Sequence, residues 1–503
     1  MSAPGTHREA ERGIRDVAKI TAGRLATQAV LVASAFLIPR ALGSASFGLF
    51  AALMAMVAIV QAAAAFGFPL VEARFLAPLW RQGERGRALT LGSSIWAARL
   101  LLSAAGAAGF ALWLGLSPEL GAGLGLFAWA VLVTLLRLAH EASKSLLLPV
   151  GRVGALAAFD FARAALTLPL VLALYPRLGL TGVFAGMAWM QLFLLAVSSW
   201  LLWRATGLEP ARLSWPALRP HLSYGSAAFV GSASAMFQAQ FGVYAAANWV
   251  TRDQAAYLGV AAQIYGLLQV LYISGRRALV PLLSEFESQG QARRLAQWGG
   301  IMLRYGTAFT SPLIVLWALL GRDLVRLALT DAFAPVTACT SWILVSVMFY
   351  CAAASCNGLL YVRGRAGRAS ANVLIYALTT AVGLALVLRS PVEETAALRI
   401  SMAYAAAAAL FFADAYLSLA RAGHIFLPLR RTLLLMAPAL LAVPAAHLEA
   451  SLLARIAAAA LFLPGYAALA VGLGLLPARE LREILRSVGR ARRGGDAELG
   501  SQG

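Results

Sequence analysis

The chain has 503 residues, of which 60% are hydrophobic and only 13% charged, with a mean hydropathy of +0.75. A soluble globular protein would carry about a quarter of its residues as charges, so the composition excludes one and indicates an integral membrane protein. The net charge of +20 does not indicate nucleic acid, because no compact basic domain holds it; short basic loops beside anionic lipid headgroups account for it.

In chain order, a basic start (Arg8, Arg12, Arg15, Lys19) leads into apolar stretches near 18–39, 47–68, 90–114, 121–143, 156–175 and 181–203. At roughly 20 residues, each is long enough to cross a hydrocarbon core of about 30 Å. The first shows no clear small-residue cleavage site and reads as a retained helix, not a signal peptide. Residues 204–222 contain Pro210, Pro216 and Pro220 and read as a linker. Six more stretches follow near 223–247, 254–273, 298–320, 335–361, 370–388 and 396–420, then a pair near 432–447 and 452–476. Pro438 and Pro444 interrupt the thirteenth.

Cations concentrate in alternate gaps. Arg74, Arg81, Arg85 and Arg87 fill one, Lys144 and Arg152 the next, and Arg276, Arg277, Arg293, Arg294, Arg363, Arg365 and Arg368 later ones, while the gaps between carry few. Cation-rich loops stay in the cytoplasm, so both termini are expected inside a bacterial inner membrane. Dropping the thirteenth stretch alone would expel the tail cluster Arg479–Arg493, so it is retained. The expected organisation is a cytoplasmic N-terminus (1–17), an N-lobe of six helices (18–203), a cytoplasmic linker (204–222), a C-lobe of six helices (223–420), a helix pair (421–476) and a basic cytoplasmic tail (477–503).

The chain also repeats itself. Trp80 to Arg87 after the second stretch and Glu287 to Arg294 after the eighth both place Gln-Gly before basic residues. Their matching positions favour an internal repeat. Two blocks of six spans both start inside, so they are related by an axis along the membrane normal, as in transporters built from parallel halves around a central site. The fold class is therefore all-α and polytopic, with about 14 transmembrane helices in two six-helix lobes around a lumen plus a C-terminal pair.

The segment Ile38-Pro39-Arg40-Ala41-Leu42-Gly43-Ser44-Ala45-Ser46-Phe47-Gly48-Leu49-Phe50-Ala51-Ala52 resembles the opening signature of the polysaccharide transporter family, the bacterial flippases of O-antigen and exopolysaccharide repeat units. Gln254 to Ala261, then Arg276 to Pro281 leading into Leu282-Leu283-Ser284-Glu285-Phe286, resemble the start of its second half. Where the family usually has glycine and then tyrosine, this chain has Tyr257 and then Gly259. The resemblance implies the fold of the multidrug/oligosaccharidyl-lipid/polysaccharide exporter superfamily. It also implies transfer of an undecaprenyl-pyrophosphate-linked glycan from the inner to the outer leaflet by alternating access, with polymerase and other polysaccharide assembly proteins as candidate partners.

Ionisable residues inside spans carry the candidate chemistry. An arginine at the bilayer centre costs about 2.5–3.5 kcal/mol even on lenient insertion scales, so Arg24, Arg99, Arg137 and Arg163 are expected to face a wet interior. Thr21, Arg24 and Gln28 recur at helical spacing as one polar stripe. In the second block Tyr265, Gln269 and Tyr272 form a neutral polar stripe, with Gln238 and Gln240 nearby. Guanidinium forks suit phosphate, and amides and phenols suit sugar hydroxyls, so these ten residues are the expected substrate contacts. Asp160 is the expected ion-coupling acid. Plainer readings stay open: Arg137, His140, Glu141 and Lys144 as a local ion-paired patch, Asp160 with Arg163 as a structural pair, Arg304 and Arg455 as snorkelling anchors, and the Tyr265 stripe as interhelical glue. No cofactor or metal is expected, since no phosphate-binding loop occurs and Cys339, Cys351 and Cys356 lack ligand spacing. Membrane potential or a proton or sodium gradient would supply energy. The alternatives are a multidrug or toxin antiporter of the same superfamily and, in another class, an integral membrane polysaccharide polymerase or glycosyltransferase. The short outer loops and scattered acids argue against an enzyme.

Overall fold

A computed structural model describes residues 26–120, 123–208, 213–266, 283, 286–287, 289–389, 392–423, 428–445 and 451–476. The described residues form 14 helices and no strand, in agreement with the expected all-α class. Helix α1 spans 26–42. Helix α2 is Ser44–Ala65, continued after a break at Phe66 and Gly67 by Phe68–Val71, a π-turn at Glu72–Leu76 and a last piece at Ala77–Arg81. Helix α3 is Arg85–Gly115 and α4 is Leu124–Ser145. The stretch Val153–Thr206 breaks at Gly179 into α5 (153–178) and α6 (180–206). Then come α7 (Trp215–Trp249), α8 (252–266), α9 (Ala292–Ala328), α10 (Val336–Val362), α11 (Ala366–Arg389), α12 (Ala396–Gly423), α13 (Leu429–Ala445) and α14 (Leu452–Gly472). Nine continuous helical stretches among the described residues are long and apolar enough to cross a membrane, and the chain is a multi-pass membrane protein.

The turns show the repeat in backbone geometry. After α2, α4 and α10, and after the helical residues Phe286 and Glu287, stands a glycine with positive φ (Gly83, Gly151, Gly364 and Gly290, φ from 67 to 78). In each turn the glycine N–H donates three residues back and the next N–H donates five back: Gly83 to Trp80 and Glu84 to Leu79, Gly290 to Glu287 and Gln291 to Phe286, and likewise at Gly151 and Gly364. This is the Schellman arrangement, which satisfies the carbonyls that a helix leaves unpaired at its end. The same turn therefore recurs at Gly83 and Gly290, the two places where Gln-Gly precedes basic residues.

Two further junctions work differently. Gly43 (φ 74, ψ 167) and Gly179 (φ 60, ψ −159) separate α1 from α2 and α5 from α6 as single residues. That region of backbone space is open almost only to glycine, at a cost of about 1–3 kcal/mol for other residues. A Cβ at either position would meet nothing within 4 Å, so the cost is torsional and not steric. Gly179→Ala and Gly43→Ala are therefore each expected to lower stability by about 1–3 kcal/mol, measured by thermal unfolding in detergent; unchanged melting would show that the junctions relax freely.

Helix α7 starts earlier than expected, at Trp215 and not near 223, because Pro216 stands in its first turn, where a missing N–H costs nothing. Packing divides the chain into two compact units. The first comprises Met1–Leu268, Val325–Thr340 and Ser370–Ala407. Within it α2 packs on α3 and α7, and α4 packs on α3 and on the 153–206 stretch. Its core includes Phe68, Val71, Leu91, Ile95, Trp96, Leu146 and Phe159. The second comprises Gln269–Leu324, Ser341–Ala369 and Ala408–Gly503. It is tied internally by Arg368 to Asp414 at 2.9 Å and Arg455 to Asp323 at 3.1 Å, so Arg455 is an ion-pair partner. Arg304 is buried there and donates to the carbonyls of Gly300 and Leu475, each at 3.3 Å, which replaces the expected snorkelling. Cys339, Cys351 and Cys356 form no disulfide among the described residues and are buried in α10, consistent with small apolar packing residues.

Candidate functional site

A cavity of about 400 Å³ opens inside the first unit, and its polar lining comes from four helical pieces. Helix α2 contributes Gln61, its π-turn Glu72, α3 Arg99 and Ser103, and α4 Arg137, Glu141, Lys144 and Ser145. Spacing on α4 explains why one helix supplies so many. Arg137, Glu141 and Ser145 follow one another at four-residue steps, and Lys144 lies three residues after Glu141, so the four share one side of the helix.

The charged groups form a linked network. Arg99 Nη1 donates to Glu72 Oε1 at 2.9 Å and to Ser145 Oγ, and its Nη2 donates to the Glu141 carbonyl at 3.3 Å. Ser145 Oγ donates to the same Glu72 oxygen at 3.2 Å. Lys144 Nζ bridges Glu141 Oε1 at 2.8 Å and Asp160 Oδ1 at 2.9 Å. Arg163 stands 3.8 Å from the same Asp160 oxygen. Arg137 differs from the rest: its Nε donates to the neutral Gln61 Oε1 at 2.9 Å, and among the described residues no carboxylate forms a close ion pair with it, Glu141 one turn along acting only at longer range. Behind the cavity wall, Trp96 donates to Ser143 at 3.1 Å, Ser143 meets Ser199 at 3.0 Å, and His140 Nδ1 meets Ser198 at 3.1 Å. These contacts satisfy polar groups that would otherwise be costly to bury.

The lining thus holds three cations (Arg99, Arg137, Lys144) and two carboxylates (Glu72, Glu141). Burial strengthens each pair and makes any unpaired charge expensive. Arg137 is therefore the lining cation that has no close ion pair.

Of the expected contacts, Arg99 and Arg137 line the cavity. Arg163 and Asp160 lie beside it through Lys144, on α5, not in its lining. Gln28 on α1, Gln240 on α7 and Tyr265 on α8 are half-buried, and Gln238 on α7 is buried; none lines this cavity, where α7 contributes Met236 instead. Arg24, Gln269 and Tyr272 lie outside the described residues.

Sequence reasoning misses Glu72. It falls just past the expected end of the second stretch and groups with the basic gap that starts at Arg74. The available signal is an acid between apolar runs, Pro69-Leu70-Val71 before it and Phe75-Leu76 shortly after. Its side chain is 2% exposed against 42% for Asp160, so Glu72 is the deeply buried acid of the first six helices.

No family model matches the chain, and no curated protein sequence matches it. Among solved structures, "Lipid II flippase MurJ, inward closed conformation" superposes with a TM-score of 0.68 at 12% identity, covering 90% of this chain and 98% of the other. An inward-facing multidrug resistance MATE family transporter of the MOP superfamily superposes with 0.61 at 11% identity, covering 78% and 95%. The chain has the fold of MOP-superfamily transporters. The MATE multidrug transporter DinF-BH shares this MOP fold at a TM-score of 0.57 and 18% identity, covering 81% of this chain and 94% of the other.

Proposed function

We propose that this chain is a flippase that moves a lipid-pyrophosphate-linked oligosaccharide, a polysaccharide repeat unit, from the inner to the outer leaflet of the bacterial inner membrane by alternating access. One observation carries the reading: Arg137 presents a guanidinium to a cavity of about 400 Å³ with only a neutral amide as partner. A half-buried cation left open in this way attracts an anion, and a guanidinium fork matches phosphate oxygens. The MOP fold, shared with a structure named as a lipid II flippase, supports the class of activity. Both termini lie in the cytoplasm, following the basic loops.

A cargo with two negative charges gains about 4.6 kcal/mol on moving outward across 100 mV, negative inside. That gain supports export without a nucleotide. Asp160 is held by Lys144 and Arg163, so a proton- or sodium-coupling role for it requires that network to open.

The multidrug antiporter reading draws on the MATE resemblance. A cationic drug would enter a cavity with one excess positive charge, and both lining carboxylates are already paired. The anionic cargo is favoured for that reason.

The test is a deletion strain assayed by mass spectrometry of lipid-linked glycans, complemented with wild type or Arg137→Gln. Deletion is expected to accumulate undecaprenyl-linked repeat units. Arg137→Gln, present at normal level, is expected to lower surface polysaccharide about tenfold, the order of one charged hydrogen bond lost. Absence of accumulation in the deletion strain, with drug sensitivity in its place, would move the protein to the antiporter class.

A further inference from the structure

The cavity contains its own anion. At Phe66 (φ 44) and Gly67 (φ 70) α2 breaks, and it resumes through the π-turn Glu72–Leu76. The wide turn starts at Glu72, which leaves the helix pointing its carboxylate at α3 and α4. There it accepts hydrogen bonds from Arg99 at 2.9 Å and Ser145 at 3.2 Å. Single-turn π-segments of this kind concentrate where a side chain has to be re-aimed for function.

Two arginines of the same cavity are therefore unequal. Arg99 is neutralised by Glu72, whereas the hydrogen-bond partner of Arg137 is the neutral Gln61. Glu72 holds Arg99 through one Nη1 contact, and the other Nη2 is spent on a backbone carbonyl. A phosphate that engages both nitrogens would make the stronger, forked contact. Between cargoes, however, an Arg99 without a counter-ion would be a buried bare charge, which destabilises any closed, empty conformation by several kcal/mol.

We propose that Glu72 is the resident counter-ion of the empty cavity and its specificity-determining residue. It neutralises Arg99 at rest, leaves Arg137 as the single open charge, and yields Arg99 only to a ligand with a second phosphate group. It keeps the Ser145 hydroxyl as a partner when it yields. The other charged groups facing this space are Glu141 and Lys144, which are already paired with each other. The inference rests on the anionic-cargo reading and specifies how that cargo is chosen: a pyrophosphate is distinguished from a monophosphate by whether it can displace Glu72.

The test uses the full chain in lipid nanodiscs, with inorganic pyrophosphate and orthophosphate titrated by calorimetry and folding checked by thermal melting. Glu72→Gln keeps an acceptor oxygen for Arg99 but removes the charge. It is expected to bind pyrophosphate about tenfold tighter than wild type, the scale of one ion pair, with orthophosphate little changed. Glu72→Asp, which keeps the charge but withdraws it by a methylene, is expected to gain about threefold and serves as the readout should Glu72→Gln fail to fold. Arg137→Gln is expected to lose both anions. Unchanged pyrophosphate affinity in the Glu72 variants, with binding still lost in Arg137→Gln, overturns the counter-ion role and leaves the anion site standing. Wild-type binding by Arg137→Gln, or no binding by any form, overturns both.

Discussion

Replacing Arg99 by methionine is expected to destabilise the protein by about 3–5 kcal/mol, because it strands a carboxylate that nothing else in the cavity neutralises. The side chains of Arg99 and Glu72 are 6% and 2% exposed, so water recovers little of the lost interaction. Ser145 would remain as a single hydroxyl donor to Glu72, which is worth a fraction of the lost pair. The sign reverses in combination. Arg99→Met with Glu72→Leu removes both charges and fills the space with apolar atoms, and buried pairs replaced in this way often leave stability unchanged or improved. The double variant is therefore expected to melt near wild type while each single variant melts well below it. A double-mutant cycle on thermal unfolding measures this directly. If the two losses simply add, the pair is not an energetic unit. Export assayed alongside should stay low in the double variant, which separates what the pair does for stability from what Arg99 does for cargo.

Gly48→Ala is expected to have the second large effect, and for a steric reason. A Cβ at position 48 would lie 1.7 Å from the Arg252 carbonyl oxygen, at the start of α8, and real Cβ atoms do not approach backbone so closely. The opposite side is as tight: a Cβ on Gly259 of α8 would stand 2.8 Å from Ala51 Cβ of α2. Arg252 is itself held, because its Nη2 donates to the Leu120 carbonyl at 2.7 Å. No flexible side chain is available to absorb the clash, so the helices have to part. Small residues permit such contacts in membranes, where packing and not the hydrophobic effect holds helices together. The expected cost is on the order of 3 kcal/mol or more. Hydrogen exchange should show α2 amides near position 48 losing protection, and export should fall with it. Gly109→Ala and Gly115→Ala, where a Cβ meets nothing within 4 Å, are the controls and should melt like wild type. Wild-type exchange in Gly48→Ala would show that this approach of α2 and α8 is dispensable.

Gly48 and Gly259 both belong to the segments that resemble the polysaccharide transporter family, and their close contacts give those loose patterns a physical content. The pattern reads as apolar residues around a glycine; the structure shows that the glycine is where one helix meets another. The repeat was legible for a similar reason. Gln-Gly before basic residues, at Gly83 and again at Gly290, encodes the same Schellman turn twice, and a local hydrogen-bond motif depends on a few adjacent residues.

The candidate site was legible only by half. Arg99 and Arg137 stand out as cations that a bilayer would not accept, and both line the cavity. Their difference is invisible in the sequence, because it depends on partners 27 and 76 positions away, Glu72 for Arg99 and Gln61 for Arg137. Glu72 itself reads as part of a loop because hydropathy falls at Pro69 and Arg74. Nothing in that fall announces a π-turn that carries the acid back inside. The start of α7 is misplaced by the same logic, since Pro216 reads as a helix breaker where it sits harmlessly in a first turn.

The amino-acid order by itself determined that this chain threads a membrane many times, where some of its helix-ending turns lie and which arginines have to avoid lipid. These properties follow from the transfer cost of each segment and from hydrogen bonds among near neighbours. Only the tertiary structure decided which of those arginines is already neutralised and which stays open to an anion. Counter-ions are chosen by distance in space, and the three helices that set those distances come from separate parts of the chain.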